Sequence, residues 1–134
     1  MKYLLDTDTC VFVIHRRHGA LERLLQESPD DVAVSAMTEA ELRFGALKSQ
    51  QSARGLVQLK GFLDPMAVLP FESAAARCHA DLRLALLQTP IGERDLVIAS
   101  VAVANGLILV THNTREFGRI AGLALEDWAR EARP

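Results

Sequence analysis

What most restricts this chain is the rhythm of its apolar residues. Tyr3 to Asp6, Val32 to Ser35, Ala67 to Leu69, Leu107 to Thr111 and Leu125 to Trp128 are apolar runs too brief for helices. They suit buried strands, the last one an edge strand. Between them lie longer stretches with helical spacing: Thr9 to Arg17, Leu21 to Gln26, Thr38 to Ser49, Ser52 to Leu63, Glu72 to Leu87, Asp95 to Ala104 and Arg115 to Ile120. Asp95 to Ala104 is apolar all round and is expected to be a buried helix. Asn105-Gly106 marks its stop before the next strand. Short strands alternating with helices imply an α/β chain whose mostly parallel sheet, of about four to five strands, is flanked by helices. Residues 1–134 are expected to form a single domain.

Right-handed crossovers put every strand's carboxyl end on one edge of such a sheet, where ligands of open α/β sheets bind. The acidic residues sit where that edge should be. Asp6 and Asp8 follow the first run, and Glu41 lies one helical turn beyond the second. Asp95 opens the buried helix, and Thr111, Asn113 and Glu116 follow the fourth strand. Carboxylates collected in one place repel each other unless a cation holds them. A ligand set made only of oxygens suits Mg²⁺ or Mn²⁺.

Each acid also has a structural reading. Asp8 suits the N-cap of the first helix and Asp95 that of its own. Thr38-x-x-Glu41 and Asn113-x-x-Glu116 both match a capping box. Thr111 reads first as an ordinary strand-end threonine, and second as a group that orients a water or phosphate. Capping does not explain Asp6 and Asp8 together after one buried strand, nor why one edge would collect Asp6, Glu41 and Asp95.

Composition narrows the partners. A net charge of -2 gives no global field toward nucleic acid, so any such contact must be local. The basic groups His15-Arg16-Arg17-His18, Arg43 with Lys48, and Arg115 with Arg119 read first as solvated helix faces. With 2 Cys, no CxxC pair and 4 His, a zinc site is not expected, and the cysteines suit a reducing cytoplasm. No signal peptide is apparent. The longest apolar region, Leu96 to Val110, is too short and too punctuated for a membrane span.

Four segments in order carry a resemblance: Leu5-Asp6-Thr7-Asp8, Ser35 through Glu41-Leu42-Arg43-Phe44-Gly45, Ile91-Gly92 with Asp95-Leu96-Val97-Ile98-Ala99, and Val110-Thr111-His112-Asn113-Thr114-Arg115-Glu116-Phe117. With the ending Gly122 to Trp128, they resemble PIN-domain ribonucleases, most nearly the VapC toxins of toxin–antitoxin pairs. The resemblance runs nearly end to end. It implies a PIN-like fold and an endoribonuclease that uses Mg²⁺, with Mn²⁺ as substitute, on structured RNA such as tRNA or rRNA. It implies a homodimer held inactive by a cognate antitoxin. Asp6, Glu41 and Asp95 match the family's first three acidic positions. At the fourth, Asn113 stands where many PIN domains have Asp and can supply a carbonyl oxygen but no charge; Glu116, one turn on, is the catalytic candidate that would supply the missing charge, directly or through a metal-bound water. Asp8 stands where these toxins more often have Asn.

The resemblance gives the carboxylates a mechanism. Three of them leave coordination positions for water and a phosphate oxygen, and a second ion can join with substrate. In-line attack would leave a 5′-phosphate and a 3′-hydroxyl. Arg16, Arg17, Arg43 and Arg115 are the candidates for phosphate contacts around the mouth. Two rival readings remain. Asp6-Thr7-Asp8-Thr9 also resembles the nucleophile loop of haloacid-dehalogenase-type phosphatases, with Asp6 attacking phosphorus and Asp8 as acid/base. That chemistry further needs a lysine, and Lys60 is poorly placed. The other rival is a catalytically silent PIN-fold interaction module.

Overall fold

A computed structural model describes residues 1–130. The strands β1 (Tyr3–Leu5), β2 (Val32–Ser35), β3 (Ala67–Leu69), β4 (Ile108–Val110) and β5 (Leu125–Glu126) form one sheet in the order β3-β2-β1-β4-β5. Every neighbouring pair is parallel. The expected mostly parallel sheet is thus entirely parallel, and even the edge strand β5 joins it that way. The helices are α1 (Thr7–Ile14), α2 (Ala20–Leu24), α3 (Ala36–Lys48), α4 (Ser52–Leu63), α5 (Ser73–Ala85), α6 (Glu93–Ala104) and α7 (Thr114–Phe117).

Alternation along the strands builds a core on each face of the sheet. Leu4, Ala33 and Leu109 face one way, against Ala75 and Leu86 and against Leu96, Ile98, Ala99 and Val101 of α6. Tyr3, Leu5, Val32, Val34 and Val110 face the other way, against Cys10, Leu42, Leu59, Leu63 and Trp128. The α6 helix is buried along most of its length, as its composition predicts, although Val103 stays 38% exposed. It ends as the Asn105-Gly106 pair suggests. Gly106 takes φ 64, its N–H reaches Val103 O, and the Leu107 N–H reaches Ala102 O. That is a Schellman closure, and the left-handed glycine is what permits it.

The helix starts depart from expectation. α1 begins at Thr7 because Asp6, not Asp8, is its N-cap, with Oδ1 accepting the Thr9 N–H at 2.9 Å. Ser35 rather than Thr38 caps α3, and Gly92 rather than Asp95 occupies the N-cap of α6. α1 stops at Ile14 instead of running to Arg17, because Arg16 and His18 adopt left-handed backbone angles.

The strand order reverses about β1: the chain steps from β1 to β2 on one side and later returns to β4 on the other. The crevice between the carboxyl ends of β1 and β4 is therefore the topological switch point. The Asp6 N–H to Val110 O bond, 3.0 Å, closes the sheet there.

Candidate active site

Asp6 leaves β1 at that crevice with only 4% of its surface exposed. Burial raises its pKa, opposed by hydrogen bonding from Thr111 and Thr9, which favours the carboxylate. Thr111 is fully buried, and its Oγ1 accepts the Asn113 N–H at 2.9 Å, which turns the chain out of β4 toward α7. Asp8 is exposed in the first turn of α1.

Glu41 is held from a distance in sequence. The Thr7 hydroxyl donates to Glu41 Oε1 at 2.7 Å, so the first helix fixes a carboxylate of the third. Thr7 Oγ1 also lies 3.2 Å from Thr38 Oγ1, which lies 3.3 Å from Ser35 Oγ. Ser35 Oγ in turn accepts the Thr38 N–H. Hydroxyls thus link the end of β2 to the start of α1, and Glu41 hangs from this chain instead of folding back onto its own helix start. The capping-box reading of Thr38 and Glu41 is corrected accordingly.

Glu116 spans two helix starts. Its Oε1 accepts the Gly92 N–H at 2.9 Å, and its Oε2 accepts from Asn113 Nδ2 at 2.7 Å. Asn113 is the N-cap residue of α7, yet its side chain bonds no backbone N–H there. The second capping box therefore does not form. Gly92 packs beside both carboxylates: a Cβ there would make ordinary contact with Asp95 Oδ2 at 3.7 Å and Glu116 Oε1 at 3.9 Å.

Asp95 registers the whole assembly. Its pKa is raised from 3.8 to about 6, first by burial and then by the charges of Glu116, Asp6, Glu41 and Asp8 in that order. Among the described residues, none of these five carboxylates has a salt-bridge partner. Uncompensated negative charge in a half-buried crevice is a setting a divalent cation fits. Among the described residues no three such groups close on one point as a preformed metal cage. Mg²⁺ suits such an open array, because it keeps several waters and takes one or two carboxylates directly. Asp6 and Glu41 each have one oxygen tied by a hydrogen bond, whereas both oxygens of Glu116 accept one.

A family model described as the PIN domain matches residues 3–123. The chain is 37% identical over 131 residues to the tRNA(fMet)-specific endonuclease VapC of Shigella flexneri, covering 96% of this chain and 99% of that one. The chain belongs to the VapC family of PIN-domain ribonucleases. VapC from the DNA-bound VapBC complex of Salmonella typhimurium superposes with a TM-score of 0.91 at 37% identity, covering 96% of this chain and 99% of that chain. VapBC2 of Rickettsia felis, bound to a promoter DNA fragment, gives 0.89 at 34% identity over 96% and 99%.

As a VapC-family PIN domain, the chain is a ribonuclease of the toxin–antitoxin class, which sets aside both the phosphatase and the silent-module readings. The site geometry agrees: Lys60, the lysine a phosphatase would have to recruit, pairs with Asp64 on the exposed face of α4 at 2.8 Å. The candidate RNA contacts separate. All four are exposed, and among the described residues only Arg43 is ion-paired, to Glu39 at 3.1 Å one turn back on its own helix. Thr7 and Gly92 were not singled out from the sequence of this PIN domain, although both lie inside its motifs. No local pattern marks Thr7 as the partner of a residue 34 positions away.

Proposed function

We propose that this chain, as one PIN-like nuclease domain, is a Mg²⁺- or Mn²⁺-dependent endoribonuclease that cleaves structured RNA, tRNA or rRNA, and is held inactive by a cognate antitoxin. The observation that carries the metal dependence is the set of unpaired carboxylates at the switch point, all of which raise the Asp95 pKa. The relative named as a tRNA(fMet)-specific endonuclease supports tRNA as the first substrate to try. A divalent cation, when bound, supplies Lewis acidity toward the phosphoryl group and lowers the pKa of a coordinated water.

The chain's own residues do the rest. Asp6 is fixed by its cap bond to Thr9, and Glu41 by the Thr7 hydroxyl. Both carboxylates are thereby preorganised as oxygen donors, with little rotamer freedom left to lose on binding. Asp95 must lose its proton to act as a ligand. Glu116 is a positioning residue in this reading: it ties the start of α6, which carries Asp95, to the turn after β4. In-line attack by water on phosphorus then leaves a 5′-phosphate and a 3′-hydroxyl.

One groove supports the antitoxin reading. A groove of about 720 Å³ runs from Thr7 and Glu41 along α1, α3 and α4, past Val11, Ile14, Leu42 and Leu59. An apolar partner segment seated there would bring an Arg or Lys to the uncompensated acids and occlude them. A homodimer is expected from the exposed apolar residues, among them Leu84 at 71% and Leu87 at 62%. The described residues include no helix long and apolar enough to cross a membrane. The free Cys10 and Cys78 suit the reducing cytoplasm, where we place the protein.

Antitoxin-free protein incubated with total RNA, with and without Mn²⁺, should generate new 5′-phosphate ends at a small set of sites, read by sequencing. Identical ends in excess chelator would contradict the proposal.

A further inference from the structure

Beside the acidic crevice lies a group of rings that the cleavage chemistry does not use. His112 directly follows the buried Thr111, and the residue before that, Val110, accepts the Asp6 N–H at 3.0 Å. Its ring is exposed and held by Asp127, with Nδ1 to Oδ2 at 3.0 Å. The exposed His18 ring is nearly parallel to it, at 8° and 6.4 Å between centroids. Phe12 of α1 stands edge-on to both, at 4.7 Å from His18 and 5.7 Å from His112.

The loop carrying His18 is built for presentation. Arg16 and His18 take left-handed φ values of 55 and 57, uncommon for residues with side chains. The turn is fixed by Arg17 N–H to Phe12 O at 2.7 Å, and the His18 carbonyl accepts the Arg130 N–H. Backbone held in this region is costly for residues with side chains and persists where the surroundings over-determine it. Arg16 and Arg17 immediately precede His18, and Arg115 lies in α7, just after His112 in the chain. Among the described residues, none of the three forms an ion pair.

We propose that His18 and His112, backed by Phe12, form a stacking platform for an unpaired nucleobase of the RNA next to the scissile phosphate, with Arg16, Arg17 and Arg115 neutralising the adjoining phosphates. This rests on the ribonuclease reading above and adds to it which part of the RNA is gripped. Single-stranded RNA is recognised by splaying bases onto aromatic and His rings, while paired bases are not available for it. A fixed His ring beside unpaired arginines meets both demands of that ligand. The platform selects loops over duplexes, and it acts in binding and not in the chemical step.

The test uses the full, antitoxin-free chain and an RNA hairpin with 2-aminopurine in its loop, against a fully paired duplex of equal length. Binding is read in an Asp95→Asn background, so that RNA survives the measurement. The loop fluorophore should be quenched on binding. His18→Ala with His112→Ala should remove the quench and weaken hairpin binding about 5- to 100-fold, as loss of base stacking does, with duplex binding unchanged. His18→Phe with His112→Phe should restore both, since Phe stacks but carries no proton or charge. In the active enzyme, the alanine pair should raise KM and leave kcat in place. Hairpin binding equal to the parent's in the alanine pair would overturn the platform, as would a folded phenylalanine pair that fails to rescue. Failure of the parent to cleave RNA with Mn²⁺, while the loop is still bound and quenched, would refute the ribonuclease chemistry and leave the platform standing.

Discussion

At the scale of single residues, Asp95 is the most informative group, because its proton reports on four neighbouring carboxylates. Its folded-state pKa of about 6 lies above the ordinary 3.8. A raised pKa favours folding while the group is protonated, so its contribution is full below the ordinary value and is lost as pH rises through the folded one. Metal-free protein should therefore lose stability from this group between about pH 4 and pH 6. Asp95→Asn should flatten that part of the profile, measured by denaturant midpoints across pH. Cation binding runs the opposite way, since it requires the carboxylate: Mn²⁺ affinity should rise through the same window. Glu116 supplies the largest charge effect on Asp95. Glu116→Gln should lower the Asp95 pKa and move the acidic limb of the pH–rate profile to lower pH. The melting temperature should hold, because Gln oxygen can still accept from Gly92 and Asn113 can turn its own oxygen to the new amide. A profile that stays in place would show that Glu116 lies outside the electrostatics of the site. Asp6→Asn should abolish cleavage and keep its cap, whereas Asp6→Ala should cost a further ~1 kcal/mol of stability from the lost bond to Thr9.

At the scale of elements, the short helix α7 carries Glu116 and is closed by Gly118. A Cβ at that glycine would sit 2.6 Å from the Thr114 carbonyl oxygen, so backbone would have to move. Gly118→Ala should destabilise the protein by about 1–3 kcal/mol in urea unfolding and lower cleavage with it, through displacement of Glu116 from Gly92. An alanine variant of parental stability would mean that the turn has slack. Elements were legible in the sequence wherever burial sets the pattern. Val32–Ser35, Ala67–Leu69 and Ser52–Leu63 fall at their expected bounds, and the Asn105-Gly106 stop is where the chain announces it. Helix starts were less legible, because several capping types crowd each one. Ser35, Thr38 and Asp6, Asp8 all suit a cap locally, and the choice falls to whichever residue leaves the strand with extended angles. The convergence of Asp6, Glu41 and Asp95 could be inferred from strand-end placement. The ties that hold them could not, because Thr7 to Glu41 and Gly92 to Glu116 join residues far apart in the chain.

At the scale of the whole molecule, a parallel sheet with core on both faces leaves its polar chemistry to the carboxyl edge, and here that edge is acidic in a chain of nearly balanced charge. The fold therefore carries a local electrostatic cost that a cation should relieve. Mn²⁺ at a hundredfold excess over its Kd should raise stability by about 2.7 kcal/mol, provided it binds only the folded chain, and chelator should reverse the gain. Asp95→Asn should lose most of that response while remaining folded without metal. The most direct test of the account is a single-turnover measurement of RNA cleavage as Mn²⁺ is titrated at neutral pH, with the parent and Asp95→Asn side by side. The account predicts a saturable rise for the parent, no cleavage in chelator, and none by Asp95→Asn at any Mn²⁺ concentration. Cleavage by the parent that is indifferent to Mn²⁺, or by Asp95→Asn at the parental rate, would contradict it.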